Sequence, residues 1–142
     1  MRFETVGIPL RFMTFMGHFI ATVCICFGVE RQVQQSGQLG TTYTNADLVA
    51  ATTELWAWLV ISLILFAVQF LTLFGGFSAF MPKITVAHIL LHGWGLCFVA
   101  LFIAERWHSG FYVPLFWIFS FIPAALEAVV LALIFVLKTM QY

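Results

Sequence analysis

FIPAALEAVVLALIF, Phe121–Phe135, is an unbroken apolar run apart from Pro123 and Glu127. In water such a carboxylate is ordinary. At the centre of a bilayer a charged side chain costs at least about 3 kcal/mol, so it has to face protein and find a partner. Reading this run as lipid-spanning therefore fixes two things at once: the class of fold, and a polar interior somewhere within it.

The whole chain supports the membrane reading. Of its 142 residues, 63% are hydrophobic and 8% charged, and the mean hydropathy is +1.04. A soluble domain of this length lacks the interior to hide that much apolar surface. Seventeen Phe and five Trp fit lipid-facing and interfacial positions. Backbone groups in lipid must be satisfied within the segment, so apolar runs of about 20 residues are helices. The formal net charge is zero, with no basic face for nucleic acid and no polybasic run for anionic lipid. Cys24, Cys26 and Cys97 all lie in apolar stretches and are read as small hydrophobes rather than a disulfide framework.

Four such runs divide the chain: 12–29, 55–74, 84–104 and 113–137, predicting an all-α integral membrane four-helix bundle as a single domain. The first run is longer than a signal-peptide core and is read as a retained span. Arg2, Arg11, Lys83 and Lys138 gather on one side, against Arg31 and Arg106 on the other, which predicts both termini in the cytosol. Trp56, Trp58, Trp107, Tyr112 and Trp117 then lie mostly toward the outer interface as an aromatic belt. The polar stretch 30–54 is expected to be a flexible or partner-bound non-cytosolic loop. Gly75, Gly76 and Pro82 mark a tight cytosolic turn.

Ionisable side chains within spans are His18, His88, His92 and Glu127, with Gln69 as a neutral companion. At 1.5 Å per residue, His18 lies about 10 Å from Arg11, His92 about 14 Å from Lys83, and Glu127 about 16 Å from Lys138. Gln69 falls in the same half. We therefore expect His18, Gln69, His92 and Glu127 to form one inward-facing hydrogen-bonded layer that fixes helix register. A proton relay, a ligand site or a contact to a partner protein are the competing readings. His88 and His92 share a helix face, but without acidic or thiol companions they are weak evidence for a metal. Paired histidines at two depths, as a dihaem carrier requires, are missing. No cofactor is expected, and no catalytic constellation is visible. Pro123 is expected to kink the fourth span near Phe119, with Ala124, Ala125 and Ala128 beside it for close packing. Arg106 is expected to reach the outer interface beside Trp107.

Along these same residues the chain resembles the transmembrane protein 107 family. IPLRFMTFMGHFI, residues 8–20, is similar to the family's first span. LFAVQFLTLFGGFSAF, residues 65–80, is similar to its second span and turn. In ERWHSGFYVPLFWIFSFIPAALE, Glu105, Arg106, Trp107, Pro123 and Glu127 fall at the family's spacing, and His92 on a family histidine. The resemblance implies a non-enzymatic tetraspan scaffold of the ciliary transition zone. Such a protein helps organise the Meckel-syndrome module and the diffusion barrier that sets ciliary membrane composition. Its partners would be membrane lipids and other transmembrane proteins of that complex, with oligomerisation left open and no nucleic acid. The competing classes are an accessory subunit of another large complex, such as a respiratory assembly of the mitochondrial inner membrane, and a small histidine-based redox or transport protein.

Overall fold

The computed structural model of the chain describes residues 3–76, 78 and 81–135. Arg2, Lys138 and the end of the fourth expected span, 136–137, lie outside the described residues. Four helical segments are long and apolar enough to cross a membrane: Thr5–Cys26, Asn45–Phe74, Pro82–Ala104 and Ser109–Phe135. The first belongs to α1 (Phe3–Cys26). A short helix, α2 (Val29–Gln35), follows it. The second and third spans are α3 (Asn45–Phe74) and α4 (Pro82–Ala104). The fourth is composite: a 3₁₀ turn (Ser109–Phe111), α5 (Tyr112–Phe116), a π-helical turn (Trp117–Phe121) and α6 (Ile122–Phe135).

Local signals account for the boundaries. Thr44 and Asp47 form a reciprocal capping box: Thr44 Oγ1 accepts from the Asp47 amide, and Asp47 Oδ2 accepts from the Thr44 amide at 2.9 Å. That cap starts α3 ten residues before Leu55. At 30 residues α3 is about 45 Å long, so its first turns stand clear of a hydrocarbon core of about 30 Å. Gly76, with φ 72°, closes the other end of α3 in the left-handed region glycine adopts without strain. Pro82 occupies the first turn of α4, where its missing N–H costs nothing.

Several expectations are corrected here. The stretch 30–54 is not an irregular loop, because α2 and the start of α3 occupy most of it and only 36–44 lacks helix. Span one begins well before residue 12, so Arg11 lies about 12 Å inside α1 rather than at its edge. Span four begins at Ser109, not 113. Tyr112 does not belong to an aromatic belt: it is 2% exposed and points into the bundle. At Trp117 the regular helix gives way to the π turn, with Phe119 at its centre, and the Ile122 amide donates to the Trp117 carbonyl. This places the irregularity where Pro123 can no longer supply a donor to the turn before it.

The packing order differs from the chain order. α1 lies along α4 and also meets α3, while the fourth span meets α3 and α4. Two close pairs, α1 with α4 and α3 with the fourth span, run parallel. Thr14 faces Gly93 and Leu96 faces Gly17 across the first pair. Ser62 meets Tyr112 and Gln69 meets Ser120 across the second. Small residues let the helices approach this closely. A Cβ on Gly95 would sit 2.5 Å from His18 Cε1 and 2.9 Å from Phe119 Cβ. The outward faces carry large apolar side chains such as Met13, Leu71 and Leu90, suited to lipid.

Candidate functional site

Helical periodicity assembles the site. On α1, Arg11, Phe15, His18 and Thr22 recur at steps of four, three and four, and all four are buried. On α4 the same stripe is Thr85, His88, His92 and Gly95. α3 contributes Ser62, Gln69 and Thr72, and the fourth span contributes Ser120 and Glu127. Most of these side chains meet in the half of the bundle nearer the termini, while Thr22 and Ser62 lie beyond them toward Tyr112.

The central element is an ion pair between Arg11 and Glu127, with Arg11 2% and Glu127 1% exposed. Arg11 Nη2 donates to Glu127 Oε1 and also to Ser78 Oγ at 3.0 Å. Ser78 Oγ in turn donates to the same carboxylate oxygen at 2.7 Å. His88 Nε2 lies 3.2 Å from Glu127 Oε1, within ion-pair distance but without hydrogen-bond alignment. Four elements thus converge on one carboxylate: α1, the α3–α4 turn, α4 and α6. Charge-assisted contacts of this kind are the strong ones, and they offset part of the cost of burying Glu127 inside the bundle; Glu127 Oε2 and Arg11 Nη1 have no hydrogen-bond partner among the described residues.

A second network lies next to it. His92 Nε2 is 3.0 Å from Gln69 Oε1, an oxygen that only accepts, so His92 carries its proton on Nε2. Its Nδ1 then accepts from His18 Nδ1 at 3.2 Å. Gln69 Nε2 donates to the Ser120 carbonyl at 3.5 Å, in the π turn. The hydrogen bonds run in one direction, from His18 through His92 and Gln69 to the Ser120 carbonyl, and the acceptor role of His92 Nδ1 requires its imidazole to be neutral, a tautomer assignment that follows from the network. His88 stacks on His92 with ring centroids 5.7 Å apart, linking the two networks. Phe15 meets His92 edge to face at 5.2 Å, and Phe66 meets His18 at 4.9 Å. These rings shield the imidazoles from a lipid-facing groove between α1 and α3.

The structure brings His18, Gln69 and His92 into one chain of hydrogen bonds. Glu127 is not a member of it, which corrects the single four-residue layer. Its partners are Arg11, Ser78 and His88, none of them placed in that layer by depth. Arg11 therefore does not mark a water interface, and without it the charge count falls from four against two to three against two. His88 and His92 share a face but turn their Nε2 atoms to different partners, Glu127 and Gln69. Glu105 caps α4. Arg106 adopts φ 53° and Trp107 closes the turn with its amide on the Phe102 carbonyl at 3.2 Å. Gln32 Nε2 donates to the carbonyls of Phe102 and Trp107 at 3.0 and 3.1 Å, tying α2 to the end of α4. Nothing in the local sequence of Gln32 announces that role. The start of α3, by contrast, does carry a local signal, the Thr44-x-x-Asp47 pattern, which reading 30–54 as a loop overlooks.

Chemically, the arrangement holds helices together through the bundle's middle. Arg11–Glu127 joins α1 to α6, and Gln69–His92 joins α3 to α4, pairs whose backbones are not extensively apposed. Among the described residues, no group of three His, Cys, Asp or Glu side chains is arranged to hold a metal ion.

A family model described as TMEM107, a transmembrane protein, matches residues 7–131. Transmembrane protein 107 of Homo sapiens is 28% identical over 131 residues, covering 92% of each chain. The protein of the same name from Xenopus laevis is 27% identical, covering 90% of each. No solved structure matches the chain.

Proposed function

The chain belongs to the TMEM107 family of transmembrane proteins, and from that premise we propose that it is a non-enzymatic membrane scaffold of the ciliary transition zone. In this reading it helps organise the protein module that limits diffusion between ciliary and plasma membranes. The observation that carries it is family membership across nearly the whole chain, covering both the inward polar stripes and the Glu105–Glu127 segment. The bundle's construction supports it. Its intramembrane charges are spent on one another inside, which leaves a rigid body with an apolar exterior for lipid and for neighbouring transmembrane proteins. Both termini face the cytosol in this proposal, with Lys83 beside them and Arg31 and Arg106 opposite.

The test is localisation at native expression in a ciliated cell, followed by deletion. A ring at the ciliary base, and leakage of plasma-membrane proteins into the cilium after deletion, are the expected results. A mitochondrial distribution, or unchanged ciliary composition after deletion, would overturn the proposal.

A further inference from the structure

At the end of the bundle away from the polar core, two guanidinium groups stand without partners. Arg31 lies in the first turn of α2 and Arg106 follows Glu105, the C-cap of α4; both are exposed. Neither makes a side-chain hydrogen bond or ion pair among the described residues. Both line one cleft of about 300 Å³, together with Cys24, Phe27, Gln32 and Ile103. Two like charges on one cleft repel, and an anion between them converts that repulsion into attraction.

The setting of each arginine is unusual for a merely solvated charge. Arg31 occupies the first turn of a helix, the end where the dipole disfavours a cation. Arg106 sits at φ 53°, a position that glycine takes without strain and that penalises a side chain. Gln32, neighbour of Arg31, is bonded to the carbonyls of Phe102 and Trp107, so α2 is fastened to the turn bearing Arg106. The two guanidinium groups are thus carried on one braced platform.

The cleft also has an apolar side. Cys24 and Ile103 lie just inside the ends of the membrane-crossing helices α1 and α4. Phe27, in the turn between α1 and α2, is 89% exposed, an arrangement suited to the boundary between headgroups and acyl chains. A guanidinium binds phosphate oxygens through paired, charge-assisted hydrogen bonds. A ligand with a phosphate and an adjoining hydrocarbon matches both sides of the cleft, and the surrounding bilayer supplies it.

We propose that this cleft binds a membrane phospholipid, with Arg31 and Arg106 on its phosphodiester and the start of an acyl chain along Cys24 and Ile103. The test uses the full chain purified in detergent, delipidated, and titrated with phosphatidylglycerol, phosphatidylcholine or diacylglycerol of matched acyl chains, with native mass spectrometry as the readout. Both phospholipids should be retained about tenfold more than diacylglycerol, and the Arg31→Gln/Arg106→Gly double variant should lose that preference. Arg106→Gly alone separates binding from folding. Glycine fits the left-handed turn, so its Tm should hold or rise while phospholipid retention falls. Equal retention of diacylglycerol, unchanged retention in the double variant, or a lower Tm for Arg106→Gly would each overturn the proposal. Displacement of the lipid by millimolar inorganic phosphate would assign the cleft to a free anion and likewise overturn it.

Discussion

Toward the termini, the middle of the bundle holds Arg11, His18, Gln69, His88, His92 and Glu127; toward the opposite end it holds Ile25, Leu55, Leu59, Val99, Phe102 and Phe116. The same four spans build both halves. In the polar half the helices are joined by directional contacts, each with a named partner, such as Arg11 with Glu127 and His92 with Gln69. In the apolar half they are joined by shape, with Tyr112 bonding Ser62 at 3.1 Å among hydrocarbon neighbours. In lipid there is no hydrophobic drive between helices, so packing and hydrogen bonds have to do the holding. Directional contacts fix which helices meet and in what register. Packing supplies cohesion but tolerates exchange of one apolar residue for another of similar volume.

The sharpest way to break this contrast is Glu127→Ala. It strands the Arg11 guanidinium in the bundle and should cost about 3–5 kcal/mol, read as loss of thermal or denaturant resistance in detergent. Replacing both partners, as Arg11→Met with Glu127→Leu, should recover most of that loss. A double variant as unstable as the single one would show that the pair is not self-contained. In the apolar half, Leu59→Ala should cost about 2–4 kcal/mol through lost packing and a cavity, and no polar second-site change should rescue it. The smallest effect is expected where the halves meet. Gly95→Ala drives a methyl group against the His18 ring and Phe119, and should cost about 1–3 kcal/mol by overpacking. If the strain is relieved by moving His18, the chemical shift of the His92 ring should change with it; a silent His92 would uncouple the crossing from the imidazole chain.

Much of this was legible from local chemistry. Lipid excludes unpaired polar groups, so His18, Gln69, His92 and Glu127 had to face inward whatever their partners. The glycine turn at Gly76 is likewise written in a short pattern; so is the Thr44–Asp47 capping box, but reading 30–54 as a loop misses it. Gln32 and Ser78 were not legible. Each is an ordinary polar residue whose role depends on carbonyls or carboxylates brought to it from other spans. Arg11 was misread for a related reason, since a charge beside an apolar run looks the same at a membrane surface as inside a bundle.

By itself the sequence determined that the chain lives in a membrane, that it crosses as helices, and that it keeps its polar side chains inside. Those are consequences of hydropathy, span length and the 3.6-residue period, all of them local quantities. Only the tertiary structure decided the pairing. Counting residues ranks side chains by height along the membrane normal, but says nothing of direction around the bundle axis. Arg11 and Glu127 are 116 positions apart. They meet because α1 packs along α4, not in chain order, and because the π turn before Pro123 sets the face that α6 turns inward.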